Sequence, residues 1–364
     1  MSKEKLHFDG IDILRGFAAI SVVVYHVIEH FNWSSFPTTG LLLWFRFGWM
    51  GVDMFFVISG FVIALSAFKQ IGNVNDAKEY KNFFRGFMTR RLNRIVPLHY
   101  LTIIIFTVFI SPSIIFLPDF ILNILSHLLF FHNVNYNLHG AINGSNWSLG
   151  VEMQFYIFIA IFAKRLRQIN PMALLTITLI ISYCWRFMSL LLVNQGEPLG
   201  VFKLFVMATQ LPGMLDEFVI GILLARLIVS ENIFHYLNTF WAKLLLPIIT
   251  VLLIVISMCI YLHYSSFWNY PLMVIFFRTL LALSFGCLIL LFCLVRVPPI
   301  LKSFIYPLYY CGTISYGIYL WHLPILLSIK NLNLSNFHSL VLVLSLTLLL
   351  ASLSWHFFEK KFID

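Results

Sequence analysis

Apolar runs about as long as a bilayer is thick recur from one end of this chain to the other. A helix needs ~20 apolar residues to cross the hydrocarbon core, whereas a membrane β-strand needs ~10 with alternating faces. The runs here have the first length and do not alternate, so helices are the expected spanning element. About ten spans are expected, near 11–30, 49–68, 96–116, 147–163, 172–193, 203–228, 244–264, 271–295, 304–328 and 339–357. Charged residues make up only 11% of the chain and hydrophobic ones 60%, against about 25% charged in soluble domains. The expected fold class is all-α, a polytopic membrane protein, with residues 1–364 forming a single integral membrane domain and no separate soluble domain. No internal repeat is evident, which disfavours an inverted-repeat transporter.

The net charge of +9 could suggest nucleic acid, but no basic domain lies outside the spans, so no nucleic-acid partner is expected. The charges instead encode orientation. With a cytoplasmic N-terminus, most of the 24 Lys and Arg fall on the cytoplasmic side, from Lys3, Lys5 and Lys69 through the 78–94 run to Arg226, Arg296, Lys302, Lys360 and Lys361. Only Arg46, Lys203 and Lys330 fall outside, and Arg15, Arg186 and Arg278 lie within spans. This asymmetry places both termini inside. The short basic start leads into the first span without a small-residue cleavage pattern, so no cleavable signal is expected. All five cysteines lie in apolar segments without ligand-like spacing, so they are expected to be small buried residues, with neither a disulfide framework nor a metal.

Two connections stand apart. Residues 69–94 form the largest cytoplasmic loop, polar and then cationic. Residues 117–146 are extracytoplasmic and contain a short apolar piece, Phe120–Phe131, too short to span and expected to be an interfacial or re-entrant helix.

Polar residues inside spans are costly and mark function by default. Arg15 and His26 are eleven positions apart in the first span, so on a helix they point within roughly 20° of each other and lie ~16 Å apart along the axis. Taken alone, the pair fits a snorkelling arginine and a packed histidine equally well. Arg90, Arg91 and Arg94 stand at the cytoplasmic entrance of the third span, with Arg91 and Arg94 on one face. Guanidinium forks at that spacing suit a multiply charged phosphate ligand, although basic anchors of this kind also contact anionic membrane lipid. Asp53 begins the second span, followed by the close-packing pair Ser59-Gly60. Glu152 lies one turn into the fourth span, where it needs a partner. Asp216 and Glu217 follow a Pro-Gly break in the sixth. His322 in the ninth is expected to be structural or acceptor-side rather than the primary base. No GxSxG elbow, P-loop, dinucleotide fingerprint or HExxH sequence occurs.

Five segments, in order, resemble the acyltransferase-3 family of integral membrane acyltransferases. They are the Arg15/His26 pair, the Gly-x-Asp-x-Phe-Phe-x-x-Ser-Gly-Phe run from Gly51 to Phe61, the Arg-x-x-Arg of Arg91 and Arg94, Trp-Ser-Leu-x-x-Glu from Trp147 to Glu152, and Ser-Tyr-x-Ile-Tyr-Leu-x-His-x-Pro from Ser315 to Pro324. The resemblance implies ten helices and an acyl-CoA donor, commonly acetyl-CoA, entering from the cytoplasm. The acceptor would be a glycan or lipid-linked saccharide hydroxyl, such as that of lipopolysaccharide O-antigen, at a bacterial inner membrane. It further implies that Arg15 and His26 are essential and that Arg91 and Arg94, with Arg90 beside them, bind the donor. Some members carry a C-terminal hydrolase-like domain; with the sequence ending at Asp364, that activity is expected to be absent or supplied separately. On this reading neutral His26 takes the proton of the attacking hydroxyl, with Glu152 or Asp53 fixing its tautomer. An acyl-histidine route stays open. Substrate contacts are expected from Trp147, Ser148, Tyr316 and His322. The competing function is a membrane exporter of glycan or lipid-linked sugar.

Overall fold

A computed structural model describes residues 8–72, 74, 76–230, 239–294 and 299–363; Lys3, Lys5 and Arg296 lie outside them, as does the side chain of Lys302. Among the described residues every regular element is helical. The helices are α1 (Asp9–His30), α2 (Met50–Ile71), α3 (Ala77–Ile105), α4 (Phe120–Leu128), α5 (Trp147–Gln168), α6 (Pro171–Leu192), α7 (Gly200–Ala208), α8 (Leu211–Val229), α9 (Phe240–His263), α10 (Arg278–Leu294), α11 (Pro299–Thr313), α12 (Ser315–Ile329), α13 (Asn336–Ser354) and α14 (Lys360–Ile363).

Two peripheral helices, α6 and α9, are inverted in polarity relative to those of a soluble bundle. The buried residues of α6 are Leu174, Thr178, Ser182, Arg186 and Ser189, a mostly polar stripe at helical spacing. In α9 only Thr250 and Ser257 are buried, while the leucines, isoleucines and valines face outward. Lipid solvates those outward faces, and the interior satisfies the polar groups, as an all-α polytopic membrane protein requires.

Length and hydropathy alone qualify seven described helices to cross a membrane, or eight if one bent pair counts as a single span, so the expected ten are not reached on those grounds. Of the other expected spans, α5 carries Glu152 and Lys164, and α8 carries Asp216, Glu217 and Arg226. The expected span at 203–228 is broken into α7 and α8 at Thr209 and Gln210, just before Pro212 enters the first turn of α8. The expected span at 304–328 is likewise two helices bent by 72° around Ile314. The cationic 69–94 stretch is not a loop for most of its length. Asp76 caps α3 by accepting from the Glu79 backbone N–H at 2.7 Å, and the helix then runs through Pro97. The short apolar piece within 117–146 forms the nine-residue α4, too short to span. The cysteines are free, but Cys184 and Cys259 are exposed on outward faces and only Cys311 is buried; a membrane-facing sulfur is as well solvated by lipid as by the core.

Two close helix pairs set the interior. A Cβ on Gly60 would come within 2.1 Å of the Phe218 carbonyl oxygen, and one on Gly221 within 2.2 Å of that of Val57, so α2 and α8 lie backbone to backbone. The pair α1 and α11 meets in the same way at Gly16 and Gly312. Charges bolt further helices on. Arg186 of α6 donates to Asp216 of α8 at 2.7 Å, to the Gly213 carbonyl at 2.7 Å and to the Ile275 carbonyl at 2.9 Å, with both charged side chains fully buried. Arg278 of α10 pairs with Asp53 of α2 and stands 4.0 Å from Glu217.

Removing one partner of such a buried pair leaves the other uncompensated, at about 3–5 kcal/mol. Asp216→Ala is therefore expected to lower the melting temperature of the purified protein sharply or abolish its recovery. Arg186→Met combined with Asp216→Leu should restore most of the loss; equal instability of the single and double variants would contradict the pairing.

Candidate active site

Helix α1 is unbroken from Asp9 to His30, and its Arg15 and His26 side chains meet one helix, α12. Arg15 donates from Nη2 to Ser315 Oγ at 2.9 Å and from Nη1 to Asp12 Oδ1 at 3.1 Å. Eleven residues on, His26 Nδ1 lies 3.2 Å from His322 Nε2, with the ring centroids 5.0 Å apart. The shared stripe expected from spacing is thus real, and α12 is what it faces.

The proton positions follow from the partners. His322 Nδ1 is 2.7 Å from the Tyr319 carbonyl oxygen, which can only accept, so Nδ1 carries the proton. For a neutral ring, Nε2 of His322 is then bare and accepts from His26 Nδ1–H, which also faces the Val22 carbonyl at 3.0 Å. That leaves the lone pair of neutral His26 on Nε2, which no described residue engages. Tyr319 is itself anchored: its hydroxyl donates to the Ser145 carbonyl at 2.8 Å and receives Ser148 Oγ at 2.7 Å. The group fixing the tautomer is therefore His322, in place of the expected carboxylate. Asp53 is committed to Arg278. Glu152 accepts from Ser59 Oγ at 2.7 Å and from Tyr156 OH at 2.6 Å.

His26 opens into a cavity of about 510 Å³, within the usual range for ligand sites. Its lining combines the aromatic rings of Trp49, Trp147, Phe205, Tyr261 and Trp268 with the polar groups of His26, Asp53 and Arg278. Of the four side chains expected to touch substrate, Trp147 lines this cavity, whereas Ser148, Tyr316 and His322 stand behind it. The Tyr316 hydroxyl donates to the Ile95 carbonyl at 2.6 Å and ties α12 to α3.

The arginines gather elsewhere. Arg15 lies within electrostatic reach of Arg94 and Glu152, and Arg91 of Arg94, Glu152 and Tyr156. The Arg91 guanidinium also sits over the Phe87 ring at 5.5 Å and the Tyr156 ring at 6.0 Å. Arg90 is exposed and bonded to Gln70. The site therefore has two poles along α1, with Arg15, Arg91, Arg94 and Glu152 at one and His26, Asp53 and Trp147 at the other. Sequence reasoning missed Ser59, Tyr156, Tyr319 and Arg278 as partners, because each is identified only by what another helix brings to it.

An integral-membrane helical bundle with an unengaged imidazole nitrogen at a cavity and clustered guanidiniums at its far end is the class this geometry defines. The acyltransferase-domain family model matches residues 8–357, and the chain belongs to that family. It is 26% identical over 378 residues to the peptidoglycan O-acetyltransferase OatA of Listeria monocytogenes, covering 96% of this chain and 55% of that protein. It is 24% identical to the O-acetyltransferase OatA of Staphylococcus aureus (strain NCTC 8325 / PS 47), covering 97% of this chain and 57% of that one. A Bacillus subtilis (strain 168) protein, YrhL, whose name assigns it provisionally to peptidoglycan O-acetylation, is 28% identical over 97% of this chain and 54% of its own length. The chain thus spans about half the length of the curated relatives it matches. No solved structure matches it.

The segment before α5 packs three buried histidines outside the spans. Rings of His127 and His132 stack 4.2 Å apart. Burial pushes His127 down to about 2 and His139 to about 4, with His132 adding to both, and burial lowers His132 too. Unfolded imidazoles bind protons near 6.5 while these refuse them, so stability rises with pH across that window. The purified protein should be at full stability above pH 6.5 and lose it progressively towards pH 4, read as a falling melting temperature. His132→Asn should flatten the fall; an unchanged pH profile would contradict the neutral packing.

Proposed function

We propose that the protein is an O-acetyltransferase that moves an acetyl group from acetyl-CoA to a hydroxyl of a bacterial cell-wall glycan, of the peptidoglycan kind rather than lipopolysaccharide O-antigen. The observation that carries this reading is the lone pair on His26 Nε2, held at the cavity by His322. Family membership and the names of the relatives support acyl transfer over an exporter. Their peptidoglycan acceptors support the cell wall.

The arginine pole suits the phosphates of CoA, since planar forks on one helix face bind multiply charged oxyanions. With the termini inside, as the basic asymmetry supports, that pole faces the cytoplasm and the cavity faces outward. Extended pantetheine would carry the thioester the ~16 Å from Arg15 to His26. His26 Nε2 then accepts the hydroxyl proton as the oxygen attacks the thioester carbonyl. The tetrahedral intermediate collapses with cleavage of the C–S bond, and the proton on His26 passes to the departing sulfur, so CoA leaves as the thiol. His322 shares the transient positive charge through its bare Nε2. No metal takes part in this scheme.

Radiolabelled acetyl-CoA and peptidoglycan fragments presented to purified protein in nanodiscs test this directly. His26→Ala should lower turnover by ~10²–10⁴-fold with normal membrane insertion; retained turnover would remove the imidazole from the mechanism. Arg91→Ala with Arg94→Ala should chiefly raise the KM for acetyl-CoA, and an effect confined to the glycan would contradict the donor assignment. His322→Gln, which keeps an acceptor for His26 Nδ1–H, should retain more kcat than His322→Leu.

A further inference from the structure

Three features of the cavity remain unexplained by the proton transfer. Its lining includes flat aromatic faces: Trp268 lies edge-on to Phe205 at 5.6 Å, and Trp147 to Phe205 at 5.2 Å. His139 lies against Trp147 with ring centroids 5.9 Å apart and nearly parallel planes. His139 is only 7% exposed, and its ring faces the Asn133 backbone without either nitrogen making a hydrogen bond of ordinary geometry. Asp53 Oδ2, in the same lining, is buried without a hydrogen-bond partner. Apart from His26, whose Nε2 serves the proton transfer, these are the lining residues, among those described, with fully buried polar atoms that lack a hydrogen bond of ordinary geometry.

Native interiors rarely leave buried polar groups unsatisfied without a use for them. A hydrocarbon chain in this cavity would leave all of them unpaired. A sugar ring offers an apolar C–H face to the indoles and hydroxyl or amide hydrogens at its rim. Charge narrows the choice further. Arg278 already pairs with Asp53 and stands 4.0 Å from Glu217, so no cation is spare for a sugar acid, and Asp53 would repel one.

We propose that this chamber is the acceptor subsite and takes one neutral pyranose unit, stacked on the Trp147–Trp268 wall and hydrogen-bonded at its rim by His139 and Asp53. This rests on the acyl-transfer reading above for its role but not for its binding. The neutral ring is held so that one hydroxyl meets His26 Nε2, while His139 and Asp53 act in recognition rather than in proton transfer.

The test uses the full chain in nanodiscs, first without donor. A soluble neutral N-acetylglucosamine trimer should bind saturably, read by tryptophan fluorescence, and a galacturonate trimer should not compete. His139→Phe keeps the stack on Trp147 and removes both nitrogens; it and Trp268→Ala should each weaken binding about tenfold or more. Asp53→Asn adds a third variant, read only if it retains the wild-type melting temperature. With acetyl-CoA present, the His139 variant should raise the KM for the glycan and leave that for acetyl-CoA unchanged. No binding of the neutral trimer, equal binding of the acidic one, or unchanged affinity in His139→Phe and Trp268→Ala would each overturn the subsite. Binding with these dependences but no acetyl transfer would uphold the subsite and sink the enzymatic reading instead.

Discussion

The contact between His26 and His322 organises the molecule more than any other. Together with the Arg15–Ser315 bond it lays α1 along α12, and Arg15 and His26 thereby both find a partner on one neighbouring helix. Inside a bilayer this is a constraint as much as a bond, because a polar group without a partner has no water to turn to. The bent junction at Ile314 is what lets α12 present both Ser315 and His322 to α1 while α11 packs against α1 through Gly16 and Gly312.

A second network holds the other flank. Asp53, Asp216 and Glu217 answer Arg186 and Arg278 across α2, α6, α8 and α10. It keeps α2 in register with α8, where Gly60 and Gly221 allow backbones to touch, and so places Asp53 and Trp49 at the cavity rather than in lipid. Structure and chemistry meet in Arg278, whose guanidinium sits over the Trp49 ring at 5.3 Å.

Much of this was legible in the chain. Hydropathy alone shows an all-α membrane chain and the apolar parts of its helices, since their outward faces need only be apolar, and the eleven-residue spacing places Arg15 and His26 on one stripe. Arg91 and Arg94 are expected on one helical face and lie within α3, but the stretch before them reads as loop, because its polar composition hides the continuation of α3 back to Asp76. What stayed hidden were long-range choices. Nothing local to Glu152 says that Ser59 and Tyr156 will satisfy it, and nothing near His26 says that an imidazole 296 positions away will take the place of a carboxylate. The Pro-Gly break of the sixth span is visible in the sequence and falls in the first turn of α8, whereas the bend at Ile314 is not, because Gly312, Thr313 and Ser315 are too few polar or small residues to interrupt an apolar run.

Tyr319 is used twice. Its carbonyl receives the proton of His322, and its hydroxyl holds the backbone of Ser145 in the segment that also carries His139. One residue is therefore the joint between the segment that carries His139 and the imidazole pair, so the lining of the chamber and the alignment of its base share a single anchor.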